Sequence, residues 1–165
     1  MPSRAPEPER HINLQALVPV PEGISLEILE RLAEYVLARE VQAQACLSLV
    51  LAPDQIVMEL NQRYLGRNEP TDVLAFPAGP LLGAPPDLPE ENYLGDVLIS
   101  LPQAERQAPD YGFSTQEELE LLTIHGILHL VGYDEQEEAT REVMWRRQEE
   151  LLKGFRTHPS AEKMG

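Results

Sequence analysis

The sequence predicts a single α+β domain built on one small mixed sheet, with an α/β layer arrangement as the alternative. The chain has 165 residues, which is enough for one domain with a sizeable buried core. Its hydrophobic fraction of 42% is ordinary for a soluble globular protein. Four short apolar segments with strand character alternate with helical patterns, and this order is typical of layered domains.

The first half of the predicted domain holds two strands and two helices. HINLQALV, which alternates in part between apolar and polar residues, and the apolar run CLSLVLA are the predicted strands. The helix between them is expected to have Ser25 as its N-cap and to bury the positions that recur at helical spacing, Leu29, Leu32, Ala33 and Val36. Asp54 is expected to cap a second helix, one face of which carries Val57, Leu60 and Tyr64.

Two further strands, TDVLAFP and YLGDVLIS, are separated by the segment AGPLLGAPPDLPEEN. Because this segment is dense in proline and glycine, it is predicted to be a loop that borders a site. Ser100 and Pro102 are expected to start a short helix. A longer helix is predicted over STQEELELLTIHGILHLVG, with Thr115 and Glu118 as its capping box.

A last amphipathic helix is predicted over residues 137 to 153, and its inward positions are expected to be Val143, Met144, Leu151 and Leu152. Residues 1–9 are rich in proline and charge and are expected to be a disordered lead-in. The domain is then expected to cover residues 10–156, with residues 157–165 as a flexible tail.

Composition narrows the class of function and the compartment. The formal net charge of −15 argues against indiscriminate binding of nucleic acid but leaves room for a local basic groove. No apolar run approaches the roughly 18 residues of a membrane helix, and the N-terminus lacks the apolar stretch of a secretory signal. The single cysteine, Cys46, cannot form an intramolecular disulfide and is expected to be buried, which favours the reducing cytoplasm.

The stretch HGILHLVGYDE predicts a metal site. His125 and His129 are one helical turn apart, so their imidazoles project from the same face and can share one ion. Gly132 can adopt the left-handed conformation that ends a helix, and the chain can then bring Glu135 toward the same ion. Such a site keeps one coordination position open. Asp134 is the alternative third ligand, and a pair of satisfied core histidines is the alternative to any metal site.

The spacing is similar to the zinc-peptidase pattern H-E-x-x-H-x-x-G-x-x-H, but the residue after the first histidine is Gly126. Zinc peptidases use a glutamate at that position as the general base beside the metal. Peptide hydrolysis by that route is therefore disfavoured, and another zinc-dependent hydrolase, including a divergent peptidase, is kept as an alternative.

Together with its neighbours, this stretch resembles a known family. HGILHLVGYD, preceded by EELELLTI, resembles the signature of the YbeY family of bacterial endoribonucleases and ribosomal-RNA maturation factors. LNQRYLGRNEPTDVLAFP and YLGDVLIS resemble that family's two upstream blocks, in the same order and at compatible distances. The blocks cover most of residues 55 to 135. The resemblance implies a mixed sheet flanked by helices, with the metal-binding helix packed against the sheet.

The resemblance also implies a function. It implies a single-strand-specific, metal-dependent endoribonuclease that matures the 3′ end of small-subunit ribosomal RNA and takes part in ribosome quality control. The expected cofactor is one Zn²⁺ ion. The expected partners are single-stranded RNA, ribosomal RNA and the ribosome, with ribosomal proteins or an assembly GTPase as protein partners. The alternative from a different class is a ribosome-assembly binding factor with weak nuclease activity.

Two positions depart from the family pattern. The third metal ligand of the family is a histidine, and this sequence has Glu135 there, which also binds zinc but removes one positive charge. The family usually has an arginine after the tyrosine of its N-x-x-Y block, and this sequence has Leu65 there. Arg63 and Arg67 flank that position and are the candidate phosphate contacts, with a solvated helix end as the alternative. Asp96 is expected either to orient a ligand histidine or to be a turn or strand-edge carboxylate.

Overall fold

A computed structural model describes residues 10–67, 71–77 and 92–157. The predicted lead-in lies outside these ranges, as do most of the proline-rich loop and nearly all of the predicted tail. The described elements confirm the predicted α+β class, because four strands form one mixed sheet that helices flank. None of the helices in the described ranges is both long and apolar enough to cross a membrane.

Strands and helices alternate up to β3, which is followed by β4, and helices form the remainder of the described chain. In chain order they are β1 (Arg10–Ala16), α1 (Leu26–Glu40), β2 (Ala45–Ala52), α2 (Asp54–Leu65), β3 (Val73–Pro77), β4 (Tyr93–Ser100), α3 (Leu101–Gln107), α4 (Thr115–Leu130) and α5 (Glu138–Thr157). A short 3₁₀ helix, Ala108–Tyr111, follows α3. The strand order is β1-β2-β4-β3, with β1, β2 and β4 parallel and β3 antiparallel to β4.

The central strands β2 and β4 are buried on both faces, and this explains why β2 is almost entirely apolar. One face of the sheet packs against α1 and α4 and contributes Leu47, Leu49, Leu51, Val97 and Ile99 to the larger core, which α5 completes by packing on those two helices. The other face forms a smaller cluster with α2, which contains Val50, Val57, Leu74, Phe76 and Leu98. Because successive side chains of a strand point to opposite faces, a central strand covered on both sides must be apolar throughout.

Two predicted N-caps are confirmed, and two other predicted caps are corrected. Ser25 and Ser100 cap α1 and α3, each accepting a hydrogen bond from a backbone N–H in the first turn of its helix. Asp54 does not cap α2, because its carboxylate instead accepts hydrogen bonds from the Ser100 hydroxyl at 2.7 Å and from Arg106. It therefore connects the first turn of α2 to α3.

The capping box of α4 lies one residue earlier than predicted. Ser114 Oγ accepts from the Glu117 N–H at 3.1 Å, and Glu117 Oε1 accepts from the Ser114 N–H at 3.0 Å. The prediction of Thr115 and Glu118 was wrong because two hydroxyl-x-x-Glu patterns overlap here. Glu118 faces the interior and is 5% exposed.

Helix α5 begins one residue after the predicted start and ends four residues beyond the predicted end, and its inward face differs in part from the prediction. Its buried positions follow a helical stripe, Met144, Gln148, Leu151 and Phe155. Met144 and Leu151 are confirmed as inward positions, and Leu152 packs at the edge of the core. Val143 was predicted inward and is 59% exposed, because it lies one residue out of phase with this stripe.

Helix α4 lies directly on the sheet, with Gly126 at the point of contact. A Cβ built on Gly126 would overlap Val97 Cγ1 and would lie 3.3 Å from Val73 Cγ2. Val97 is fully buried and β-branched, so it cannot rotate away easily. This contact confirms that the helix predicted to bind the metal packs on the sheet. It also gives a steric reason why the glutamate of zinc peptidases is absent at this position.

We expect Gly126→Ala to destabilise the protein, as measured by the free energy of unfolding in urea. The added methyl group overpacks the contact with Val97, at a cost of about 1–3 kcal/mol. This cost exceeds the roughly 1 kcal/mol by which alanine favours a helix interior over glycine. The double variant Gly126→Ala/Val97→Ala makes room for the methyl group, so its destabilisation should be smaller than the sum of the single effects. Strict additivity would contradict the contact.

Candidate metal centre

The three candidate ligands meet at the C-terminal end of α4. His125 and His129 lie one turn apart on the helix, and Glu135 follows in the turn after it. The Nε2 atoms of the two histidines are 3.2 Å apart. Glu135 Oε1 is 3.2 Å from Nε2 of His125 and 3.1 Å from Nε2 of His129. The three atoms therefore form a nearly equilateral triangle.

This triangle fits one face of a tetrahedral metal site. Donor atoms about 2.0–2.1 Å from a zinc ion, at tetrahedral angles, lie roughly 3.3–3.4 Å from one another. The observed separations of 3.1–3.2 Å are close to that spacing. Two imidazole nitrogens and one carboxylate oxygen are also a donor set that zinc uses in catalytic sites. The residues present can therefore hold a metal ion and keep one position open.

A glycine places the third ligand. Gly132 has a φ of 107°, in a region that residues with a Cβ rarely adopt, and it ends α4 as predicted. The N–H groups of Gly132 and Tyr133 donate to the last carbonyls of the helix, those of His129 at 3.2 Å and Leu128 at 3.0 Å. The chain thus reverses at a fixed point, and Glu135 reaches back to the histidines.

The turn is anchored to the rest of the molecule through Tyr133. The Tyr133 hydroxyl donates to Glu40 Oε2 at 3.2 Å, and Arg147 Nε donates to Glu40 Oε1 at 2.5 Å. Glu40 belongs to α1 and Arg147 to α5, so two helices hold the turn from either side. The position of Glu135 therefore depends on tertiary contacts as well as on Gly132.

Asp134, the alternative third ligand, has a different set of partners. Its Oδ1 accepts from the Gln136 N–H at 2.8 Å and from the Thr140 hydroxyl at 3.1 Å. Both partners lie at or just before the start of α5, so Asp134 fixes the connection between the turn and that helix. The structure places Glu135, rather than Asp134, in the triangle.

The electrostatic environment of Glu135 suits a ligand. Partial burial raises the pKa of its carboxyl group, but the charge and hydrogen bonds of His125 and His129 outweigh this effect. The net pKa lies below the usual value for glutamate, so the group is a carboxylate at neutral pH. Only the deprotonated form can bind a metal ion.

Gln148 holds one of the ligands and was not predicted from the sequence. Its Oε1 accepts a hydrogen bond from His125 Nδ1 at 2.6 Å. A neutral imidazole that donates through Nδ1 carries its lone pair on Nε2, the atom that faces the triangle. Gln148 is 5% exposed and lies in the buried stripe of α5. A glutamine among the apolar positions of an amphipathic helix was the signal that could have revealed this role.

Asp96, in contrast, does not orient a ligand histidine. Its neighbour Val97 faces α4, so Asp96 faces the other side of the sheet. There it accepts a hydrogen bond from the Tyr93 hydroxyl, which also lies 2.8 Å from Ser48 Oγ. Asp96 is fully buried in β4, which has a strand on each side, so the strand-edge interpretation is wrong as well.

A cavity of about 570 Å³ opens over the triangle. The two histidines and Glu135 form one wall, and residues of β3 and the end of α2 form the other. Leu65, one of the two positions that depart from the pattern of the resembled family, lies in this second wall. The cavity is wide and open, so an extended substrate can reach the metal-binding atoms.

The two candidate arginines have different positions. Arg67 lines the cavity. It follows Gly66, which ends α2 with a φ of 68°, and its backbone N–H donates to the Asn61 carbonyl at 3.3 Å. Arg63 lies on the exposed side of α2, with its guanidinium carbon 5.8 Å from the centre of the Tyr64 ring. It is not among the described residues that line the cavity.

The chain is similar to one family along most of its length. Residues 15–156 match the family model described as Endoribonuclease YbeY. The Endoribonuclease YbeY of Pelotomaculum thermopropionicum is 46% identical over 144 residues, which cover 85% of this chain and 91% of the relative. The Endoribonuclease YbeY of Thermobifida fusca is 45% identical over 132 residues, which cover 79% of this chain and 85% of that relative.

The fold is similar to a solved structure as well. The solution structure of a protein from Thermotoga maritima matches with a TM-score of 0.57 and 28% sequence identity, covering 88% of this chain and 89% of that one. The segment matched by the family model contains the whole triangle and both cavity walls. The resemblance inferred from the sequence blocks is confirmed: this chain belongs to the YbeY family of endoribonucleases.

Proposed function

We propose that this protein is a metal-dependent endoribonuclease that cleaves single-stranded RNA. The observation that carries the proposal is the triangle of His125, His129 and Glu135 at the wall of an open cavity. Membership of the YbeY family supports the reaction class. By the same relationship, the proposed substrate is the 3′ end of small-subunit ribosomal RNA in the cytoplasm, and the proposed wider role is ribosome quality control.

The proposed ion is Zn²⁺, held by the three atoms of the triangle. When bound, the ion supplies Lewis acidity and makes a nucleophile available at neutral pH. Gln148 keeps the proton of His125 on Nδ1, so that Nε2 is free to bind. Glu135 brings a negative charge, which lowers the net charge of the centre relative to one with three histidines.

Arg67 is the proposed contact to the scissile phosphate. A phosphodiester develops negative charge during hydrolysis, and a guanidinium in the same cavity can stabilise that charge with paired hydrogen bonds. Arg67 lies in this cavity and Leu65 cannot provide a charge. Arg63 lies outside the cavity, and we propose that it meets the RNA backbone beyond the reacting phosphate.

The second candidate function is a ribosome-assembly factor that binds RNA with little cleavage. The net charge of −15 and the leucine at position 65 favour it. In either role, ribosomal proteins or an assembly GTPase are the proposed protein partners. A peptidase is disfavoured by the contact of Gly126 with Val97, which leaves no space for a general base at that position.

We expect the purified protein to contain one zinc ion per chain and Glu135→Ala to lose most of it, as measured by elemental analysis. Removing one of three protein ligands weakens the site strongly. Glu135→His should retain the ion, because histidine also supplies a suitable donor. Asp134→Ala is the matched control and should retain the ion, since its carboxylate is bound within the turn. Full zinc content in Glu135→Ala would contradict the triangle.

Cleavage of a fluorescent single-stranded RNA tests the reaction. The zinc-loaded protein should cleave it, chelation should abolish cleavage, and casein should remain intact. Arg67→Ala should lower kcat/KM on the order of 100-fold, as expected for the loss of a group that stabilises transition-state charge. Arg63→Ala removes the same charge from outside the cavity and should have a much smaller effect.

Two results would reject parts of this assignment. Intact RNA after incubation with fully zinc-loaded protein would favour the assembly-factor role. Equal effects of Arg67→Ala and Arg63→Ala would remove the argument that the cavity selects Arg67.

Gln148→Leu should weaken zinc binding about 10–100-fold in a competition titration with a chelator, the usual effect of losing a partner of a ligand histidine. Gln148→Glu retains an acceptor for His125 Nδ1 and should keep the affinity. Met144→Leu, in the same buried stripe, controls for the packing of α5. Equal affinity in Gln148→Leu and Gln148→Glu would show that the hydrogen bond is dispensable.

A further inference from the structure

A second groove of about 200 Å³ lies beside the metal centre. The end of the 3₁₀ helix, α4 and α5 form its walls. Two large aromatic side chains border it with most of their surface accessible, Tyr111 at 67% and Trp145 at 57%. Tyr111 stacks against Phe113, with ring centroids 6.1 Å apart. Exposed aromatic faces beside a groove are the surfaces on which nucleobases stack in proteins that bind single strands.

The groove also contains a buried carboxylate with an open position. Glu118 is 5% exposed, and its Oε1 accepts a hydrogen bond from Gln107 Nε2 at 3.3 Å. Its Oε2 is buried and has no hydrogen-bond donor within the described ranges. Burial raises the pKa of Glu118, and the negative charge of nearby Asp72 raises it further. The hydrogen bond from Gln107 lowers the pKa but does not outweigh burial.

An open acceptor of this kind points to a ligand. A buried carboxylate oxygen without a donor costs free energy in the folded state. Gln107 Nε2 donates to Asp72 and to Oε1 of Glu118. Oε2 of Glu118 therefore remains as an acceptor. A hydrogen-bond donor that enters the groove would satisfy this acceptor.

The groove adjoins the metal centre through shared residues. His125 and Asp72 line both cavities. Gln148, which holds the Nδ1 proton of His125, lines the groove from the other side of the imidazole. A nucleotide with its phosphate over the triangle would therefore have its base near the entrance of the groove.

We propose that this groove, the base groove, binds the nucleobase next to the scissile phosphate and prefers guanine. The proposal rests on the proposed function, because it places the base on the same RNA strand. Guanine presents N1–H and an N2 amino group side by side, and one carboxylate can accept from both. Uracil presents one N–H between two carbonyl oxygens, which would face Glu118 unfavourably. Trp145 and Tyr111 supply the stacking surfaces.

Trp145 makes the test direct, because it is the only tryptophan in the chain. Guanosine 5′-monophosphate should quench Trp145 fluorescence saturably, and uridine 5′-monophosphate should bind about tenfold more weakly. Glu118→Gln should weaken guanosine monophosphate binding about tenfold, with little change for uridine monophosphate. Tyr111→Ala alters an exposed residue and should weaken the binding of both nucleotides. Glu105→Gln removes an exposed carboxylate that lines neither cavity and should change nothing.

The outcomes separate the base groove from the proposed function. Equal binding of the two nucleotides, unaffected by Glu118→Gln, would overturn the preference for guanine. Absence of quenching by either nucleotide would overturn the groove as a base site, even if the protein cleaves RNA. Saturable quenching that depends on Glu118, in a zinc-loaded protein that leaves RNA intact, would support the groove and reject the nuclease.

Discussion

The contact between Gly126 and Val97 sets the position of α4, the helix that carries both histidines, and the rest of the candidate site depends on it. Because the backbone of α4 lies against β4, the helix cannot rotate or shift without a clash with a fully buried valine. His125 is the neighbour of the contact residue, and His129 follows one turn later on the same face. Two of the three candidate ligands are thus held by a rigid element packed on the sheet, as an accurate metal site requires.

The third ligand and the orientation of the first depend on helix α5. Arg147 joins Glu40 and Tyr133 and so holds the turn that carries Glu135. Gln148, the next residue, supports His125. Because buried polar groups are stable only when their partners are in place, these contacts connect the formation of the site to the docking of α5. The helix that covers the core therefore also completes the candidate metal centre.

Local patterns predicted most of the elements and the three residues that meet in the triangle, because the necessary information is close in sequence. The i, i+4 histidines, the glycine turn and the strand runs can all be recognised within a few residues. Gln148 could not be assigned in this way, because its partner lies 23 residues away and meets it only after α4 and α5 pack. The predicted role of Asp96 was wrong for a similar reason. The whole fold decides which face of β4 meets α4, and this cannot be read from the strand alone. The prediction for Val143 was also wrong, because it relied on the apolar character of the residue alone. The helical stripe of buried positions in α5 leaves Val143 exposed.

The closeness of the ligands in sequence has a thermodynamic consequence. His125, His129 and Glu135 all lie in the short segment from α4 into its following turn. An unfolded chain keeps such donors near one another and retains part of its affinity for a divalent ion, so binding stabilises the folded state by less than the full binding free energy. Structural zinc sites that join distant segments behave differently, because their ligands come together only on folding. An ion held at this candidate site would therefore contribute little to folding, and the sheet, with helices on both faces, carries the stability of the fold.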